Sequence, residues 1–388
     1  MEGIVLLSNP GSASKKYSVY SSGVEVGWFH FEKDAGTYSC SFKVVTAFEK
    51  RPVSESEYHQ SLDFVLSALH TAGITREVSD VYAVSIRTVI PDPDFVVDSL
   101  LTPQVAKYLK GLSVLDPLHI NPVLDEIEVI KKSVAKRTFV CLISDSSFHT
   151  TSRRKMPVDL GRDIYGIGYH GLSCESVLAR LEEAKIKHSK LVVCHLGGGS
   201  SVSAIAKSKS VYNTMEYSPL GGMFMASRPG SIDPFLVMQI MHEKKLSYED
   251  GLKFLYTNSG LKALSGVSDD LREVRAEAFK GNQHAKQAII QFVDSIAAHV
   301  CKAMSYTQGI DTLVFAGTIG FRAAYIREMV AERLSWLGIR LNHDRNLDDL
   351  DTCFEISDHN SSVRVVVVQI DEMREMHRHT VELLRIKI

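Results

Sequence analysis

The sequence reads as an α/β protein of two domains with a similar plan and a cleft between them. Its 388 residues exceed what one ordinary core accommodates and suit two. The same order of elements also appears twice: hairpin-like alternating segments first, then short apolar strands interleaved with helical stretches. The second round begins at about residue 148, and no repeat of the sequence itself accompanies it.

Residues 3–7 (GIVLL) are a short buried-strand run ending in the turn-rich SNPGSAS. YSVYSSG, VEVGWFHF and TYSCSFKVV alternate and are punctuated by Gly, which predicts an antiparallel meander. Ser54 and Glu57 then form a capping-box pattern. Leu62, Val65, Leu66 and Leu69 share one helical face, and Gly73 supplies a stop. VYAVSI (81–86) and RTFVCLIS (137–144) are apolar runs of buried-strand type. In the second half KLVVCHL (190–196), the turn GGGSS and VSAIA predict a hairpin. Helical patterns cover 234–244, 247–256, 271–280 and 284–307. DTLVFAG (311–317) and VRVVVVQI (363–370) are further buried strands, and DEMREMHRHTVELL is helical with Asp371 placed to cap it.

Composition narrows the function. Lys and Arg number 44 against 46 Asp and Glu, a net charge of -2, so the chain lacks the basic stripe of a general nucleic-acid binder. Six cysteines are scattered without a CxxC pair. That argues against a zinc ribbon or thioredoxin-like site and fits core thiols in a reducing, cytoplasmic setting. The opening MEGIVLLSNPGS is acidic and only briefly apolar, unlike a signal peptide. No run approaches the roughly 20 apolar residues of a membrane helix.

The chemistry gathers at strand ends. HLGGGSS (195–201) and AGTIG (316–320) are glycine-rich turns after apolar strands, where backbone N–H groups can approach an anion. NPGSAS (9–14) is rich in hydroxyls and leads into Lys15 and Lys16. Together the three suggest a polyphosphate, although each alone is also an ordinary tight turn. No GxxxxGK[ST] sequence is present, and the GxGxxG formed by Gly166, Gly168 and Gly171 follows no buried strand. Arg87 ends a strand, Arg228 sits in SRPGSIDP, and His170 precedes a helix whose start Ser173 is placed to cap. Two arginines and a histidine suit phosphoryl transfer, which is mostly electrostatic stabilisation of the moving group. Singly, each equally fits a surface ion pair or a satisfied loop histidine. Asp145 and Glu372 follow strands, a placement suited to magnesium shared with substrate phosphates or to plain capping.

In chain order these segments resemble the acetate kinase family, within the sugar kinase, heat-shock and actin superfamily. SNPGSASKK resembles its N-terminal loop (Asn9, Ser12, Ser14, Lys16), and AVSIRTV its first arginine segment (Arg87). DPLHINP is similar to its leucine-histidine-asparagine-proline stretch, ISDSSFH to its aspartate segment (Asp145), and YGIGYHGLS to its histidine motif (His170). HLGGGSS resembles a phosphate loop (His195, Gly197, Gly198, Gly199). NTMEYSPLGGMFMASRPGSIDP resembles the second arginine segment (Arg228). SGVSDDLREV is similar to the adenosine-side turn (Asp270, Leu271, Arg272), AGTIG to the late glycine loop (Gly317, Thr318, Ile319, Gly320), and QIDEMREM to the metal-linked glutamate (Glu372).

The resemblance implies two actin-like ATPase-type (ribonuclease H-like) domains. An N-terminal acyl- and phosphate-binding domain would span 1–147 plus 371–388, and a nucleotide-side and dimerisation domain 148–370. It implies direct in-line transfer between ATP and acetate or propionate, with Arg87, Asp145, His170 and Arg228 catalytic and His170 acting as a donor. Val89, Leu118, Tyr169 and Pro219 would line the acyl pocket. Mg2+, with Mn2+ as an alternative, would be held by Asn9 and Glu372, in a cytoplasmic homodimer with neither nucleic-acid nor membrane partners.

The chain departs from the family pattern at four places. Ile90-Pro91-Asp92 replaces His-Gly-Gly, Gly198 replaces an asparagine, and Phe321-Arg322 replaces the end of the late glycine loop. The stretch between His149 and Tyr165 is short and carries Arg153, Arg154 and Lys155. Because these changes fall on the nucleotide side, two other readings stand beside the ATP-linked one. One is an enzyme using pyrophosphate or phosphate. The other is a non-catalytic binding protein, against which the retention of Arg87, Asp145, His170, Arg228 and Glu372 argues.

Overall fold

A computed structural model describes residues 3–11, 14–34, 36–348 and 351–387. Ser12 of the N-terminal loop lies outside the described residues. The chain divides into two compact units, Met1–Asp145 with Met373–Ile388, and Ser146–Glu372.

The first unit is built on eight strands: β1 (Ile4–Pro10), β2 (Ser14–Ser21), β3 (Val24–Asp34), β4 (Thr37–Val44), β5 (Ala47–Pro52), β6 (Val81–Thr88), β7 (Ser99–Leu100) and β8 (Phe139–Ser144). Their order is β5-β4-β3-β2-β1-β6-β8-β7. The meander β1 to β5 is antiparallel, whereas β6 and β8 run parallel to β1. β1 is buried on both faces. Ile4 and Leu6 join the cluster with Tyr17, Phe29 and Leu62, while Val5 and Leu7 are buried on the alternate positions. The C-terminal helix Glu372–Lys387 docks within this unit: Thr380 Oγ1 lies 2.7 Å from Ser85 Oγ, and His379 Nδ1 lies 2.6 Å from Asp98 Oδ2.

Two expectations change here. β5 was not expected: all six residues are exposed, and its Glu, Lys and Arg hide the strand period, as suits a protected edge. The helix predicted after Ser54 is two helices. The capping box forms, with Ser54 Oγ accepting from Glu57 N–H at 3.1 Å and the Glu57 carboxylate accepting from Ser54 N–H at 2.7 Å. However, the chain breaks at Gln60, giving Glu55–His59 and Ser61–Thr71. The break lets Tyr58 turn inward on one piece and Ser61, Leu62, Val65 and Leu69 on the other, with Ser61 Oγ reaching Tyr17 Oη at 2.8 Å.

The second unit has six strands: β9 (Lys190–Leu196), β10 (Ser200–Ala206), β11 (Lys209–Asn213), β12 (Thr312–Ala316), β13 (Cys353–Glu355) and β14 (Arg364–Val368). Their order is β11-β10-β9-β12-β14-β13. Again an antiparallel meander, β9 to β11, leads, and β12 and β14 continue in parallel. Alternate residues serve opposite layers. Cys194, Leu313, Phe315 and Val365 face a large cluster that takes in the 25-residue helix Gln283–Thr307. Val193, Val314 and Val366 pack with Cys174, Val177 and Leu181 of the helix Gly171–Glu183. The two units thus share one plan, an antiparallel meander (five strands in the first, three in the second) followed by two strands that continue in parallel. All six cysteines are free thiols, and Cys40, Cys141, Cys174 and Cys194 are buried.

Candidate active site

In the first unit three neighbouring strands run parallel, so their carboxyl ends emerge side by side, the usual ligand edge of such sheets. Asn9 is the next-to-last residue of β1 and Arg87 that of β6, and Asp145 follows β8. An Arg87 guanidinium nitrogen donates to Asp145 Oδ2 at 2.9 Å and another lies 3.4 Å from Asn9 Oδ1. The Asp145 side chain is 1% exposed and that of Arg87 17%. A charge-assisted bond this sheltered from water is strong and fixes the plane of the guanidinium. Lys16 is exposed and pairs across the ladder with Asn9, and Ser14 begins β2. Lys15, on the opposite face, turns inward to 3.7 Å from the buried Glu126 carboxylate. Strand pairing continues to Pro10 and resumes at Ser14, so the predicted NPGSAS turn is shorter than expected. Val89 follows β6 and Leu118 lies in the first turn of the helix Pro117–Ser133, both half-buried.

In the second unit β9 and β12 also run parallel, with Ala316 opposite His195. The glycine turn 197–199 follows the first, and residue 317 follows the second. A Cβ added to Gly197 would stand 4.0 Å from Thr318 N, so the two segments adjoin. A Cβ on Gly199 would stand 3.4 Å from His170 Nε2 and 3.6 Å from an Arg228 guanidinium nitrogen. Glycine here keeps the approach to both side chains open. His170 stacks on His195 with ring centroids 4.0 Å apart, and its Nδ1 lies 2.9 Å from Ser201 Oγ. The Arg228 guanidinium lies over the Tyr256 ring at 5.2 Å and reaches the Pro219 carbonyl at 3.4 Å. Tyr169 is 1% exposed, and its hydroxyl donates to the Tyr217 carbonyl at 3.0 Å.

His170 has left-handed backbone, φ 60° and ψ 35°, at the start of the helix Gly171–Glu183. For a residue with a Cβ this costs about 1–2 kcal/mol, so its surroundings must hold it. They do so through Tyr169. The Tyr169 carbonyl accepts from His149 Nε2 and Asn213 Nδ2, each at 2.9 Å, and Asn213 Oδ1 lies 3.4 Å from Tyr169 N. Gly168, at φ 79°, lies flat on His149: an added Cβ would meet the His149 Cβ at 2.7 Å. His149 is fully buried, and burial lowers its pKa to about 4, so the ring is neutral at pH 7. A carbonyl only accepts, so the proton sits on Nε2, and Nδ1 faces Ser210 Oγ at 2.8 Å. Neither His149 nor Asn213 stood out in the sequence as more than a neighbour of a motif, since their partner is a backbone group.

Two expectations are corrected. Ser173 does not cap the helix after His170; it lies inside it, and its hydroxyl meets His195 Nδ1 at 2.7 Å. AGTIG is not a turn: Gly317–Arg322 is a short helix entered directly from β12, bringing Thr318, Ile319 and Gly320 into helical backbone. Phe321 stands edge-on to Phe354 with centroids 6.3 Å apart and packs on the core. Asp270 caps the helix Leu271–Phe279, accepting from Arg272 N–H at 2.8 Å, and pairs with the Arg272 guanidinium, whose side chain is 91% exposed. Leu271 is buried. In the short stretch before Tyr165, the Arg153 guanidinium lies 5.5 Å from the Tyr165 ring, Arg154 lies 4.2 Å from the Tyr306 ring, and Lys155 pairs with Asp163 at 2.5 Å. Glu372 opens the C-terminal helix and is half-buried.

Comparison with known proteins finds relatives along nearly the whole chain. The acetate kinase of Acetivibrio thermocellus is 30% identical over 405 residues, covering 98% of this chain and 99% of that protein. The acetate kinase of Methylocella silvestris is 36% identical over 297 residues, 74% of this chain and 71% of that protein. A solved propionate kinase from Francisella tularensis superposes with a TM-score of 0.85 at 25% identity, over 98% of this chain and 99% of that one. The model of the acetokinase family matches residues 4–377, and the chain belongs to that family.

Proposed function

We propose that the protein transfers a phosphoryl group between ATP and acetate or propionate, giving acetyl phosphate or its propionyl counterpart and ADP by direct in-line displacement. The observation that carries this reading is the meeting of His170 Nε2 and the Arg228 guanidinium over Gly199, beside a backbone formed by two glycine segments. Such a cluster offers donors to the equatorial oxygens of a phosphoryl in transit. With Nδ1 accepting from the Ser201 hydroxyl 2.9 Å away, His170 would present an N–H at Nε2 and act as a hydrogen-bond donor. Arg87, oriented by Asp145, would offer a further guanidinium to phosphate oxygens. The carboxylate oxygen attacks phosphorus as the bond to the ADP oxygen breaks, and the negative charge passes to ADP. Val89, Leu118, Tyr169 and Pro219 would face the acyl group. One methylene in such a pocket is worth about 1–3 kcal/mol, so acetate and propionate would both be accepted.

Asn9, Ser14 and Lys16, with Ser12, would bind phosphate oxygens on the acyl side. His195, Gly197, Gly198, Gly199, Gly317, Thr318, Ile319 and Gly320 would serve the nucleotide phosphates, and Asp270, Leu271 and Arg272 the adenosine side. Among the described residues no group of three His, Cys, Asp or Glu side chains is gathered around one point. Magnesium takes most of its ligands from water and substrate phosphates, and Asn9 and Glu372 would offer it protein oxygens. When bound, the ion would neutralise charge on the transferring phosphates. We further propose a cytoplasmic homodimer. The helix Pro234–Lys244 has no buried residue and exposes Phe235, Leu236 and Met238, an apolar face that a second copy would cover.

Hydroxamate formation from acetate or propionate with ATP and magnesium tests the reaction. Turnover with ATP is the expected result. The reverse assay, acetyl phosphate offered with ADP or with phosphate, identifies the donor. A pyrophosphate product in place of ATP would replace the donor assignment. Absence of turnover with every donor in folded protein would favour a binding protein on the same scaffold.

A further inference from the structure

We infer that His149 and Asn213 are positioning residues that set the imidazole of His170 by clamping the peptide in front of it. His170 sits in a conformation that its own side chain disfavours, so its geometry is imposed from outside. The Tyr169 carbonyl is the grip: two donors from different segments converge on it at 2.9 Å. Asn213 completes the hold by facing the Tyr169 amide with Oδ1, while the same oxygen accepts from Met215 N–H at 2.9 Å. One residue of the sheet edge thus engages both sides of the Tyr169 residue.

His149 adds a steric stop. Gly168 rests against its ring, and no residue with a Cβ fits there. The clamp is anchored in turn. His149 Nδ1 faces Ser210, and Asn213 Nδ2 donates to Ser203 Oγ at 2.8 Å, so both donors are tied to strands β10 and β11 rather than to the loop they hold. The strands that carry the glycine turn therefore also fix the histidine facing it. Release of the Tyr169 carbonyl frees the peptide to rotate and His170 to leave the left-handed region. Its Nε2 would then leave the position beside Gly199 and Arg228. The clamp touches neither substrate, and the Tyr169 ring keeps its own tie to the Tyr217 carbonyl, so loss of the clamp should show chiefly in the rate of transfer through His170.

This inference rests on the catalytic reading of His170, and the test separates the two. Wild type, His149→Phe, His149→Gln and Asn213→Asp are compared in the hydroxamate assay, with thermal midpoints measured alongside. Phe keeps a flat ring of similar size and has no donor. Gln restores an N–H within reach of the carbonyl. Asn213→Asp keeps Oδ1 and places an acceptor where Nδ2 donated. The expected result is a kcat lower by about 10- to 100-fold for His149→Phe and Asn213→Asp, with both KM values within about threefold. His149→Gln should recover much of the loss. The inference is overturned if the Phe and Asp variants keep kcat within about threefold of wild type, or if Gln is as impaired as Phe with an equal fall in midpoint. If His149→Phe does not fold, Asn213→Asp decides by the same criteria. A wild type without turnover removes the functional reading instead.

Discussion

Arg87 and His170 are both proposed to act on the phosphoryl group, and the protein holds them by different means. Arg87 is held by charge: its guanidinium meets a buried carboxylate at 2.9 Å, and its strand has ordinary extended backbone. His170 is held by shape and neutral hydrogen bonds: a left-handed residue, a stacked imidazole at 4.0 Å, and a clamp made by a neutral histidine and an amide. The ionic hold tolerates backbone relaxation, because the salt bridge re-forms wherever the two groups meet. The neutral hold does not, because every contact depends on one peptide orientation. Substitutions should therefore disturb Arg87 through lost charge and His170 through small changes of volume.

The largest effect that would sharpen this contrast comes from the arginines. Arg87→Ala and Arg228→Ala are each expected to lower kcat by about 10²- to 10³-fold. Arg87→Ala should lower the unfolding midpoint the more of the two, because it removes the sheltered ion pair to Asp145. Equal midpoints for the two variants would break the comparison. Next comes Gly199→Ala, whose methyl would stand 3.4 Å from His170 Nε2. A fall in kcat of roughly 10-fold with an unchanged midpoint is expected, and near-normal turnover would show that no ligand passes through that gap.

The pH dependence of stability addresses the neutral clamp. Folding holds the His149 pKa at about 4, below its ordinary value of 6.5, so the unfolded chain binds the proton more readily. Its contribution is fully present above pH 6.5 and is lost progressively as pH falls toward 4, by roughly 2–4 kcal/mol. Urea unfolding of wild type and His149→Gln between pH 7 and pH 4 should diverge in that direction. Parallel curves would mean that His149 is not buried neutral. The smallest catalytic effect is expected from Phe235→Asp, on the exposed apolar helix. It should yield monomers by light scattering while kcat changes by no more than about twofold. A wild type that is already monomeric would remove the dimer proposal.

Much of the scaffold is legible in the residue pattern, for definite reasons. β9, β12 and β14 are continuous apolar runs because helices cover both faces of their sheet, and such runs stand out in any window. Arg87 and Asp145 are legible as candidate site residues because a charged group directly after an apolar run marks the point where the chain leaves the core. β5 escaped because an exposed edge has no apolar face to reveal it. The break at Gln60 escaped because it answers Tyr17, which is remote in sequence. The helix at Gly317–Arg322 escaped because a glycine pair reads as a turn until β12 is seen to feed straight into it.

The sequence by itself determined two α/β units, the family, and which residues carry charge at the strand ends. These follow from local periodicity and residue chemistry, both written along the chain. Only the tertiary structure decided that Gly199 faces His170 and Arg228, that Ser173 serves His195 rather than a helix end, and that His149 and Asn213 grip the peptide before His170. Each of those contacts joins segments tens of residues apart, several through backbone atoms common to every residue. Their partners are chosen by where the sheets bring the chain, and no local pattern records that choice.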